Sequence, residues 1–142
     1  MTIASVMHGP GGTVHTSSAD ERVGSVAAKL AEYRIGAVPV VENGSVVGIF
    51  SERDIIYGLA QYGTALLDKN VGEVMTSPAI TVTGDTAILS ALSLMTRRRI
   101  RHLPVVDDGQ LVGFVSIGDL VKHRIEKIES EAAAMRDYIQ GT

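Results

Sequence analysis

The sequence predicts an α+β fold: two pseudo-twofold-related β-α-β-β-α repeats and a long C-terminal helix. Three observations carry that expectation. The chain repeats itself at a fixed offset, each copy holds a short hairpin closed by Asn-Gly or Asp-Gly, and a heptad-spaced apolar series continues past the second copy. With Ile35–Asp54 laid on Ile100–Asp119 at an offset of 65, nine of the 20 positions are identical, among them Pro39/Pro104, Gly48/Gly113, Ser51/Ser116 and Asp54/Asp119. The same offset pairs Thr16 with Thr81 and Asp20 with Asp85. Nearer the N-terminus it becomes 68, pairing Val6-Met7 with Val74-Met75, and the difference falls in the turn-prone Gly9-Pro10-Gly11-Gly12. Two copies of a unit too long for a solenoid repeat point to a pair sharing one core. The first repeat is placed at 1–64, the second at 65–122 and the helical extension at 123–142.

Each copy has the same local grammar. Thr16 and Thr81 fall late in a first strand. In the first copy Ser18-Ala19-Asp20-Glu21 has the form of a capping box, followed by Val23, Val26, Ala27 and Leu30 at helical spacing; Ile88, Ala91, Leu92 and Met95 match them in the second. Two β-branched runs come next, joined by Asn43-Gly44 or Asp108-Gly109. Such pairs favour the type I′ turn, whose central residues both need positive φ. Pro39 and Pro104 are expected at strand starts, where a missing N–H is tolerated. A second helix opens at Ser51 or Ser116; in the first copy Gly58 and Gly63 are expected to interrupt it. In the second it runs on, with Val121, Ile125, Ile128, Ala132, Met135 and Ile139 at a/d spacing. That stripe either lies on its own domain or meets a second copy, and the spacing favours a homodimer.

Composition narrows the function. The chain has 142 residues, 45% apolar and 20% charged, which is globular rather than disordered. No Cys is present, so disulfides, thiolate metal sites and thiol nucleophiles are excluded. No signal-like N-terminus and no apolar run of bilayer length are visible, so a cytoplasmic protein without membrane association is expected. A net charge of −3 and 4% aromatics argue against a nucleic-acid partner, despite Arg97-Arg98-Arg99-Ile100-Arg101-His102. Arg97 and Arg98 read as a solvated helix end. His8, His15 and His123 have no metal-site spacing, and neither a phosphate loop with its Lys nor a dinucleotide Gly-rich turn occurs. No enzyme is expected.

Gly48-Ile49-Phe50-Ser51-Glu52-Arg53-Asp54 and Gly113-Phe114-Val115-Ser116-Ile117-Gly118-Asp119 resemble the Gly-h-h-[Ser/Thr]-x-x-Asp signature of cystathionine-β-synthase-type (CBS) domains. The segments Ile35–Val41 and Ile100–Val106 are similar to the central strand of that family, and Val74-Met75-Thr76 to its opening. The resemblance spans about residues 3–121. It implies a regulatory, signal-transducing pair of repeats with two clefts for an adenosyl ligand: AMP, ADP, ATP, NAD(H) or S-adenosylmethionine. It also implies a homodimer. In such pairs the Asp (Asp54, Asp119) holds a ribose diol and the Ser (Ser51, Ser116) helps bind phosphate. The Pro-bearing strand (Ala37, Val38, Pro39; Leu103, Pro104) and the Thr-bearing first strand (Thr16, Thr81) wall in adenine.

Physics supports the same residues while leaving an alternative open. Ser51 and Ser116 are placed as helix N-caps, where free N–H groups and the positive dipole end suit phosphate. A carboxylate in the first turn can accept both hydroxyls of a ribose. Yet Ser-x-x-Asp is also close to a capping box, in which both side chains merely satisfy backbone. Arg53, Arg101 and His102 could each neutralise phosphate. Their counterparts are Gly118, Gly36 and Ala37, so one cleft should be more cationic than the other. Thr16 and Thr81 fit plain β-propensity equally well. A module with degenerate clefts that only dimerises is the remaining alternative, and output is expected to reach an effector protein in trans.

Overall fold

The computed structural model describes residues 1–7 and 14–141. Helix α1 (Ile3–Met7) is followed by α2 (Val23–Tyr33), strands β1 (Ala37–Glu42) and β2 (Ser45–Ser51), and α3 (Glu52–Tyr62). A 3₁₀ helix (Gly63–Asp68) and α4 (Val71–Val74) lead to α5 (Ile88–Arg98), β3 (His102–Asp107), β4 (Gln110–Ser116) and α6 (Ile117–Gln140). His8 and the Gly9–Gly12 stretch lie outside the described residues.

The two hairpins, β1–β2 and β3–β4, are separate antiparallel sheets with matching registers. Their turns are of the expected kind, with φ of 52° and 81° at Asn43-Gly44 and 52° and 75° at Asp108-Gly109. Each also carries a register shift, between Val40 and Val41 and between Val105 and Val106. The first strand of each repeat shrinks to a single parallel bridge, Ser17 to Val40 and Val82 to Val105. One pair of bonds suffices there: Ser17 N–H donates to Pro39 O at 3.1 Å and Val41 N–H to Ser17 O at 2.8 Å. Pro39 and Pro104 are the third residues of their strands rather than the first. Their carbonyls face the bridge, so the missing N–H falls on that side and costs the hairpin ladder nothing.

Three local expectations shift. The Ser18–Glu21 box closes a turn ahead of the helix, with Ser18 N–H donating to Glu21 Oε1 at 3.2 Å; α2 itself starts at Val23 behind an uncapped Arg22. The opening segments Val6-Met7 and Val74-Met75 belong to the short helices α1 and α4. Gly58 does not interrupt α3: a Cβ there would stand 2.5 Å from Leu66 Cδ1, so the missing side chain admits buried Leu66. Gly63, at φ 61°, ends the helix.

Two apolar cores form, and each borrows from the other half of the chain. Val23, Val26, Leu30, Val38, Val40, Phe50 and Leu66 are joined by Val71, with Val74 and Met75 against them. Ile88, Ala91, Met95, Leu103, Val105, Val115 and Leu120 are joined by Ile3, with Val6 and Met7 against them. The opening helix of each half therefore seats on the hairpin of the other. Gly48 and Gly113 make this possible, since a Cβ would stand 2.7 Å from Met75 Sδ or 2.6 Å from Met7 Cε. The halves meet along β2 and β4.

Of α6, only Leu120 is buried. Val121, Ile125, Ile128 and Met135 of the heptad stripe are between 41% and 61% exposed, so the stripe is not laid on the core of its own chain. Among the described residues no helix is long and apolar enough to cross a membrane.

Candidate functional site

Ser51 and Ser116 are the N-caps of α3 and α6, both in extended backbone, with Asp54 and Asp119 at the third helical position. Both pairs make capping boxes. The backbone N–H of each Ser donates to its Asp Oδ2, at 2.9 Å for Asp54 and 3.0 Å for Asp119. The first amide of each helix is taken by the adjoining strand: Glu52 N–H by Gly36 O at 3.0 Å, Ile117 N–H by Arg101 O at 2.8 Å. The Asp54 end is therefore bordered by Gly36 and Ala37, the Asp119 end by Arg101 and His102.

The two carboxylates differ beyond the box. Asp54 is 9% exposed, and its Oδ2 also accepts the Ser51 hydroxyl at 3.2 Å. Its Oδ1 accepts the Thr76 hydroxyl at 2.9 Å. Thr76 is held in place by reciprocal backbone bonds with Ile49, both 2.9 Å. Asp119 is exposed, and among the described residues its Oδ1 has no partner. The Ser116 hydroxyl in turn accepts Asp119 N–H at 3.1 Å.

His102 is half-buried at the seam, its ring stacked on Phe114 with centroids 5.4 Å apart, and it lies 3.4 Å from where a Cβ on Gly36 would be. Burial above all depresses its pKa below the ordinary 6.5, and Arg101 adds to this; the carboxylates of Glu52 and Asp119 pull the other way. Near neutral pH His102 is thus a neutral hydrogen-bonding ring rather than a cation. Arg53 reaches across the seam, its Nη1–H donating to Arg99 O at 2.8 Å. Arg101 is exposed.

The strand residues divide by face. Val38 and Leu103 point into the two cores and are fully buried. Ala37, Pro39 and Pro104 are also buried, while Thr16 and Thr81 are exposed beside the bridges. Sequence reasoning passed over Thr76 and Glu52 as site groups. A signal existed for the first: the offset of 68 pairs Thr76 with His8, so the copies diverge there.

The model of the CBS domain matches residues 13–61 and 71–126. The chain belongs to the CBS domain family. A CBS domain-containing protein of Arabidopsis thaliana, mitochondrial CBSX3, is 35% identical over 99% of this chain and 72% of its own length. Among solved CBS structures, the pair of protein MJ0100 in complex with 5′-methylthioadenosine and S-adenosyl-L-methionine superposes with a TM-score of 0.78 at 27% identity, over 89% of this chain and 98% of that one. CBSX2 in complex with AMP superposes at 0.75 and 26%, over 88% and 96%. The two hairpins, with a helix opening at Ser51 and Ser116, are thus the two repeats of a CBS pair.

Proposed function

We propose that this CBS pair senses an adenine nucleotide, AMP, ADP, ATP or NAD(H), in its two inter-repeat clefts and catalyses no reaction. The observation that carries the reading is the doubled N-terminal carboxylate: Asp54 and Asp119 sit in the first turns of α3 and α6, beside a Pro-bearing strand. A first-turn carboxylate suits a ribose diol, and the helix end suits phosphate. Ser51 and Ser116 hold the carboxylates in place, while Arg101 and His102 supply donors at the Asp119 end. The AMP complex of CBSX2 supports this choice of ligand. S-adenosylmethionine is the second reading, favoured by the MJ0100 complex and by the same diol.

Output follows from the helix extension. The exposed Val121, Ile125, Ile128 and Met135 stripe fits a homodimer formed through α6. Ligand binding in the dimer then changes the surface shown to an effector protein in the cytoplasm. The competing reading, a dimerisation module with empty clefts, predicts no ligand at all.

The test is isothermal titration of AMP, ATP, NADH and S-adenosylmethionine into ligand-stripped protein and into an Asp54→Ala, Asp119→Ala double variant. Binding that is lost in the folded variant is expected. Absence of heat with every ligand would sink the sensor reading in favour of the dimerisation module.

A further inference from the structure

Building on the nucleotide reading of the two clefts, we infer that Thr76 sets the order in which they fill: its hydroxyl occupies Asp54, so the Asp119 cleft takes ligand first. A carboxylate offers about four acceptor positions, and a ribose diol needs two of them. Asp54 accepts three hydrogen bonds, from Ser51 N–H, the Ser51 hydroxyl and the Thr76 hydroxyl, which leaves room for one more. Asp119 accepts one among the described residues, from Ser116 N–H. Both hydroxyls of a ribose therefore fit on Asp119 as it stands. On Asp54 one of them must displace a bond already made. Of those three bonds, two belong to the helix cap and sit within the same turn. The Thr76 bond is the one that comes from elsewhere in the chain, across 22 residues of sequence. Thr76 is also firmly placed, because its backbone is tied on both sides to Ile49.

Exposure runs the same way, Asp54 being buried and Asp119 open. Thr76 is thus a positioning residue that touches the ligand site through Asp54. It converts a duplicated pair of binding sites into an ordered pair, one filling at low nucleotide and one at high.

The experiment is calorimetric titration of AMP into full-length, ligand-stripped protein, with Asp119→Ala, Asp54→Ala, Thr76→Val and Thr76→Ser variants beside it. The wild type is expected to show one tight and one weak class of site, the tight class vanishing in Asp119→Ala. Thr76→Val is expected to tighten the weak class about tenfold, the worth of one hydrogen bond no longer displaced. Thr76→Ser, which keeps the hydroxyl, should restore the wild-type weak class; a purely steric role for Thr76 would not give that rescue. Loss of the tight class in Asp54→Ala with its survival in Asp119→Ala would overturn the order. An unchanged or weakened second class in Thr76→Val would overturn the role of Thr76. No binding of AMP, ATP or NADH by the wild type overturns the nucleotide reading itself along with the order, whereas AMP binding with the wrong order, or none beside binding of ATP or NADH, overturns only the inference.

Discussion

The glycines at equivalent positions of the two hairpins should tolerate alanine very differently. At Gly48 a Cβ would stand 2.7 Å from Met75 Sδ and 2.8 Å from the Thr76 backbone oxygen. At Gly113 the three nearest atoms all belong to the Met7 side chain, the closest being Cε at 2.6 Å. A methionine end can swing aside, so Gly113→Ala meets a soft obstacle. The Thr76 oxygen cannot yield without stretching its 2.9 Å bond to Ile49 N–H, the return bond from Thr76 N–H, and the hydroxyl bond to Asp54. Losing two backbone bonds costs about 2 kcal/mol. Overpacking adds about 1 kcal/mol or more, and replacing glycine in a strand returns about 0.5–1 kcal/mol. Gly48→Ala should therefore destabilise by about 2–4 kcal/mol and Gly113→Ala by less than about 1 kcal/mol. At about 4 °C of melting temperature per kcal/mol for a chain of this size, the two differ by roughly 10 °C. Thermal unfolding followed by circular dichroism, at one fixed protein concentration, measures both. Equal losses, or a larger loss for Gly113→Ala, would refute the assignment of a rigid neighbour to Gly48 and a flexible one to Gly113.

Leu120, fully buried as the anchor of α6, should cost about 3 kcal/mol when cut to alanine, measured by urea unfolding; Val121→Ala, one residue on and exposed, should stay within about 0.5 kcal/mol. Glutamates at Ile125 and Ile128 should leave the fold intact and halve the mass seen by analytical ultracentrifugation, while an unchanged mass would rule out α6 as the dimer seam. His102 gives a pH signature. Burial lowers its folded pKa below the ordinary 6.5, so the unfolded chain binds more protons in that range. Its contribution is fully present above about pH 7, is lost as pH falls from about 6.5 through the folded pKa, and levels off below it. His102→Ala, which copies Ala37 of the first repeat, should flatten that part of the stability profile between about pH 7.5 and 5.5; profiles that run parallel would exclude His102 as the source.

Much of the architecture is local and could be read directly. Asn43-Gly44 and Asp108-Gly109 announce their turns because few residues adopt positive φ twice in succession. Ser51 and Ser116 announce helix starts because their hydroxyls and the Asp three residues on answer backbone groups in the same turn. The duplication told where to look for the second of everything. Other features were legible only in part. Gly58 looked like a breaker, yet its role lies in the close approach of Leu66, eight residues on, which glycine in a helix does not advertise. The Ser18–Glu21 box is a true local bond, but the helix it seemed to start begins later, where Val23 N–H finds Lys69 O at 2.9 Å.

What the sequence by itself determined was the repeat, the hairpins, the N-capped helices and the identity of the paired Ser and Asp residues, because each is settled within a few residues of chain. What only the tertiary structure decided was which groups meet across long separations: α1 seated on the second core, α4 on the first, Thr76 on Asp54, Arg53 on Arg99, and His102 desolvated at the seam. Two copies that read almost alike as sequence thereby become two unequal helix ends. Hydrogen-bond occupancy and burial depend on neighbours in space, and a repeat offset cannot encode them.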